Sequence, residues 1–158
     1  MASLDYQKLK EAIYKYLVTD TNSFKTAIGA SFYDDEPNED DYTNGIPYPH
    51  CIYSLLPGEL DRDSSAKYEK PVIRFTFFDD QGDSSRITNL AALLDARFDE
   101  CESGLNALAM NPDDEHDLGV AGMTILDVRR ITTLSNLMKT DLGNWQLPVD
   151  YRIEIQRT

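Results

Sequence analysis

Cysteine is scarce in this chain. Cys51 and Cys101 are the only two among 158 residues, and no Cys-x-x-Cys pair occurs. That excludes a disulfide-stapled scaffold, and both thiols read as small hydrophobes for a core. Long apolar runs are missing too: none approaches the eighteen or so residues that a membrane span needs. The opening Met1-Ala2-Ser3-Leu4-Asp5-Tyr6 lacks the basic-then-apolar layout of a secretory signal. The expectation is a soluble protein of cytosolic origin with no membrane partner. Basic residues are outnumbered, 15 against 28 acidic, for a net charge of −13. This is the wrong sign for holding a phosphate backbone by counterion release, so general nucleic-acid binding is excluded.

Catalytic material is equally thin. There are two histidines, His50 and His116. His50 and Cys51 are neighbours in a strand-like run, so they should point to opposite faces and cannot form a thiolate pair. His116 sits among carboxylates, where it reads as a solvated charge partner. No Gly-x-Ser-x-Gly, phosphate-loop, dinucleotide or His-Glu-x-x-His pattern is present. Asp79 and Asp80 could serve as an acid–base pair, but Asp79-Asp80-Gln81-Gly82-Asp83 is also ordinary turn chemistry. The chain is therefore expected to be no enzyme, with no catalytic residue, cofactor or metal.

What is abundant is acid, and it is concentrated. Asp34, Asp35, Glu36, Glu39, Asp40 and Asp41 crowd a segment over about 34–45 that holds no base, and Asp113, Asp114, Glu115 and Asp117 form a second cluster. Outside these two the charge is close to balanced, so the acidity belongs to loops and not to the folded body. Like charges keep such a loop solvated. They also suit a basic partner or the wall of a passage for DNA. Calcium fits poorly: an EF-hand frame begun at Asp34 puts Glu39 at the turning glycine and Gly45 at the bidentate glutamate, and one begun at Asp61 puts Ala66 at the glycine.

Periodicity gives the elements. Leu9, Ala12, Ile13, Tyr16 and Leu17 recur at helical spacing, predicting an amphipathic helix over about 4–18. Asp20, Asn22 and Ser23 offer caps for a short second helix stopping near Gly29. After the prolines of Ile46-Pro47-Tyr48-Pro49, residues 50–56 read as a strand stopped by Pro57-Gly58. Over 72–78, Ile73, Phe75 and Phe77 alternate with Arg74 and Thr76, a half-buried strand. Asp83, Ser84 and Ser85 cap a long helix over about 84–102, with Ile87, Leu90, Ala91, Leu94, Phe98 and Cys101 as its stripe. Residues 123–131 offer a third strand. Trp145, Leu147, Val149, Tyr151, Ile153 and Ile155 make a fourth, the strongest alternation in the chain. The predicted fold is α+β in a single domain over 1–158, two long helices packed on one face of a mostly antiparallel sheet of about four strands.

Between the last two strands lies a long connection, about 132–144, in which Leu134, Leu137, Met138 and Leu142 have no evident core to enter. Either both strands extend and turn at Asp141-Leu142-Gly143-Asn144, or the hairpin projects against another subunit. The candidate interface residues are accordingly these four together with the six acids of 34–41.

With the elements placed, the chain resembles the phage tail terminator and tail-completion family. The resemblance rests on the leading helix followed by an irregular acidic segment, the proline-led run Ile46-Pro47-Tyr48-Pro49-His50-Cys51-Ile52-Tyr53, and Phe75-Thr76-Phe77-Phe78 feeding a helix. It extends to the Arg129-Arg130 strand, Asp141-Leu142-Gly143-Asn144-Trp145, and the closing Tyr151-Arg152-Ile153-Glu154-Ile155. It covers nearly the whole chain through the order of its elements, while the acidic loop and residues 103–122 have no assigned counterpart. The resemblance implies a structural virion protein of the tail and neck, assembled in the host cytoplasm. It implies a ring, usually a hexamer, that caps the tail tube, stops its growth and joins the tail to the head. Implied partners are other copies of itself, the major tail tube protein and the head connector or stopper protein, with DNA only passing through the lumen. Other readings are a different neck protein, such as a connector stopper, or a cytosolic acidic binding module of the immunity or inhibitor type.

Overall fold

A computed structural model describes residues 6–19, 22–36, 45–60, 68–105, 123–131, 137–141 and 143–157. The second acidic cluster, over 113–117, lies outside them. The chain opens with helix α1 (Tyr6–Tyr14), which continues as one π-helical turn over Lys15–Thr19. Leu9, Ile13, Tyr16 and Leu17 are buried, as the helical spacing predicts. Helix α2 (Ser23–Ile28) is capped by Asn22, whose side-chain oxygen accepts the Lys25 N–H at 2.9 Å. It stops at Gly29, where φ is +64°.

Six strands follow: β1 (Phe32–Asp34), β2 (His50–Leu60), β3 (Tyr68–Asp79), β4 (Met123–Arg130), β5 (Met138–Lys139) and β6 (Trp145–Arg157). Helix α3 (Ser85–Leu105) joins β3 to β4. The spatial order is β1-β2-β3-β6-β4, and β5 pairs β6 near its start. All pairings are antiparallel except β1 with β2. It follows that β3 and β4 run in the same direction, with β6 between them and α3 as the crossover.

The sheet buries one face under the helices. Cross-strand rows Tyr53–Phe75–Val149 and Cys51–Phe77–Leu147 lie on it, and all six residues are buried. Phe75 is central: its ring lies 5.8 Å from those of Phe98 on α3 and Tyr151 on β6, and 6.2 Å from Phe32 and Tyr53. Ile87, Leu90, Ala91, Leu94 and Phe98 of α3 belong to the same buried cluster. The α+β class and the identity of the covered face thus agree with the sequence pattern.

Several details differ from expectation. Among the described residues the sheet has six strands and not four, because β1 and β5 are too short to show a period. Among the described residues three helices cover it: the two long stretches, α1 with its π turn and α3, are joined by the short α2 that the two-helix description left out. Strand β2 does not end at Pro57-Gly58; it passes through them with a register shift between Leu56 and Glu59, a bulge that accommodates a residue unable to donate to the ladder. Strand β3 begins at Tyr68, four residues earlier than its alternation suggests.

Candidate functional site

The acidic segment starts at the edge of the sheet. Asp34 ends β1, and the Asp35 N–H extends the pairing by donating to the Tyr53 carbonyl at 2.8 Å, with Asp35 at φ +61°. Lys10 on α1 reaches both carboxylates, its Nζ lying 2.5 Å from Asp34 and 3.1 Å from Asp35. Burial opposes the ammonium charge, and the hydrogen bonds and attraction of the two carboxylates outweigh it, so the Lys10 pKa is raised. Burial, reinforced by Asp34, also pushes the Tyr53 phenol well up. Asp34 and Asp35 are exposed, and their carboxylates are paired with a lysine on a helix. Glu36 is exposed, and Glu39, Asp40 and Asp41 lie outside the described residues.

The second candidate region divides as well. The Thr140 N–H donates to the Asn144 carbonyl at 2.7 Å and the Gly143 N–H to the Thr140 carbonyl at 2.9 Å. Gly143 has φ +84°. The chain thus reverses between Thr140 and Asn144, and β5 pairs Met138 with Gln146 and Lys139 with Trp145. Leu137 packs against the core, which corrects the expectation that it has no core to enter. Met138 remains 49% exposed. Leu134 and Leu142 lie outside the described residues.

The sheet face away from the helices carries a group that sequence reasoning did not assemble. His50 is only 4% exposed, stacked against Phe78 at 4.9 Å and covered by Tyr48 at 5.0 Å, with Tyr33 edge-on at 6.3 Å. Its Nδ1–H donates to the Pro47 carbonyl at 3.2 Å. Burial lowers the imidazole pKa, partly offset by that carbonyl. Asn144 Nδ2 donates to the Tyr48 hydroxyl at 3.2 Å, tying the segment before β2 to the β5–β6 turn. Cys51, on the opposite face, is fully buried, and burial pushes its thiol pKa up. The alternation had separated these two residues, but the pairing of β1 and β3 around His50 is long-range information.

Further along this face, Arg74 donates to both oxygens of Asp150 at 2.7 and 2.9 Å, and the guanidinium pKa is raised by that hydrogen-bonded partner. Arg129 and Arg152 stand directly opposite each other across β4 and β6. The weighed acid–base pair resolves as structure: Asp79 is fully buried, accepts two hydrogen bonds from the Arg86 guanidinium, and takes the Asp80 N–H at 2.8 Å. It fastens the end of β3 to the first turn of α3. Among the described residues, no group of three or more His, Cys, Asp or Glu is placed to hold a metal ion.

No family model and no curated protein matches the chain. Solved structures do. One similar chain comes from a structure described as the virion of a native gene transfer agent particle. It superposes with a TM-score of 0.65 at 12% identity, over 98% of this chain and 99% of that one. At that identity the likeness establishes a shared fold over the full length of both chains.

Proposed function

We propose that the protein is a structural virion component that caps the head-proximal end of a phage tail tube as a ring, most simply a hexamer, ending tube growth and joining tail to head. The observation that carries this reading is the end-to-end fold match with a chain of a virion particle. The order of elements, which resembles tail terminators, supports it independently. So do the displayed features: an acidic strand end at one sheet edge, and an exposed Met138 beside a tight turn. In this reading the partners are further copies of the chain, the tail tube protein and the head connector, and DNA passes through the lumen unbound.

The test is negative-stain microscopy of the purified protein mixed with assembled tail tubes. Rings at one end of the tubes, together with arrest of further polymerisation, are the expected result. Binding to isolated head connectors while tube ends stay bare would assign the chain to the stopper position in the neck. A tight two-fold dimer as the only species in native mass spectrometry would point to a binding module.

A further inference from the structure

We propose that the two edges of the sheet are complementary, and that the β4 edge of one copy receives the β1 edge of the next. This rests on the ring reading above and supplies the contact that would close it. Strand β4 is eight residues long, and among the described residues no strand pairs its outer side. An unpaired edge of that length is a template for another strand. The opposite edge, β1, has only three residues and runs directly into Asp35 and Glu36.

The register places opposite charges at the same height on these two edges. One row across the sheet reads Asp34–Tyr53–Phe75–Val149, and the row two residues along reads Leu55–Ile73–Tyr151–Arg130. Between them the Asp35 N–H bonds the Tyr53 carbonyl and the Ile131 N–H bonds the Asp150 carbonyl. Asp34, Asp35 and Glu36 thus leave one edge at the level where Arg129, Arg130 and Ile131 leave the other. Ile131 is 45% exposed on that edge. Arg129 is 66% exposed and has Asp127 at 3.3 Å, a surface pair of small worth. Arg130 is tied to Asp95 at 2.9 Å.

Direction is compatible too. Counting pairings across the sheet, β4 runs opposite to β1. Copies related by rotation about an axis along the strands keep strand direction, so β4 of one and β1 of the next would meet antiparallel. Such a contact is heterologous, uses two different surfaces, and closes into a ring when the rotation permits. The occupant of each edge is therefore a second copy of this chain.

Within one chain the two edges are separated by about 19 Å, four strand spacings of about 4.8 Å. A cysteine on each cannot form an intrachain disulfide. The experiment places Glu36→Cys and Ile131→Cys together in a Cys101→Ser background, mixes the protein with tail tubes and oxidises it mildly. Denaturing electrophoresis should show a ladder of linked chains ending at the ring size, and either cysteine alone should give none. A second arm uses charge: Arg129→Glu and Glu36→Lys should each weaken ring assembly at least tenfold with unchanged melting temperature, and mixing the two variants should restore it. Rings at tube ends without the ladder, or charge variants that assemble normally, overturn the inference and leave the functional reading standing. Wild-type protein that forms no ring on tubes overturns the functional reading, and this inference with it.

Discussion

His50 and Arg97 show how single residues hold surfaces together. Burial against Tyr48 and Phe78 lowers the His50 pKa below its ordinary value of 6.5. An imidazole held neutral in the folded state is protonated more readily in the unfolded one. Its contribution to stability is therefore complete above about pH 6.5 and is lost as pH falls through the folded-state value. Urea midpoints should drop between about pH 7.5 and 5.5, and His50→Gln should flatten that part of the curve; an unchanged slope would show that His50 is not the group responsible. Arg97 is buried on α3 and donates from Nη2 to the Tyr16 carbonyl at 3.0 Å, while the Tyr16 hydroxyl returns a bond to the Arg97 carbonyl at 2.7 Å. Its guanidinium lies 3.8 Å above the Tyr16 ring. Tyr16 is in the π turn, where i→i+5 bonding replaces the α-helical pattern. Replacing Arg97 with Met keeps the volume and removes the guanidinium hydrogen bonds to the Tyr16 carbonyl, so chemical denaturation should record a loss of about 1–3 kcal/mol.

Among elements, those with a sustained period were legible and those without were not. β6 alternates over its inward residues from Leu147 to Ile155, and all of them are buried. α3 carries its stripe along the helix, so the length and covered face of both could be read directly. β1 and β5, at three and two residues, carry no period, and their existence depends on partners far away in sequence. Pro57 looked like a stop because local rules cannot show that a bulge will absorb it. The same blindness explains Leu137, whose place against the core becomes visible only when β5 folds back on β6. This yields a contrast: Leu137→Asp should lower the melting temperature of the isolated chain, whereas Met138→Asp should leave it unchanged and act only on assembly. At the centre of the sheet, Phe75→Ala should cost about 3–5 kcal/mol by urea denaturation, the usual figure for a core phenylalanine. A negligible loss there would mean that the helix-covered face is not the one that stabilises the fold.

At the scale of the whole molecule the charge is organised by topology. Helices cover one sheet face, and the first acids leave the β1 edge under the hold of Lys10. The sequence showed six carboxylates in one segment, but not that a helix lysine neutralises part of the charge of the first two, because residues 10 and 34 meet only in the folded chain. The acids therefore differ in expected role. Converting Asp34 and Asp35 to Asn removes the partners of Lys10, and its effect should appear first as a lower melting temperature of the isolated protein. Under the proposed function, converting Glu39, Asp40 and Asp41 to Gln and Asn should leave that temperature unchanged and act on the virion. Carboxylates lining a lumen repel a phosphate backbone at short range, screened beyond about 8 Å at physiological salt, so their loss would permit assembly and slow genome delivery. Carboxylates docking on a basic patch of the head connector would instead leave complete tails that fail to join heads. The expected outcome is the second, since a segment this acidic, adjoining a sheet edge, suits a neck contact better than a smooth wall. Counting joined particles by electron microscopy measures it, and particles that join heads and infect at the wild-type rate would reduce these three residues to solvation.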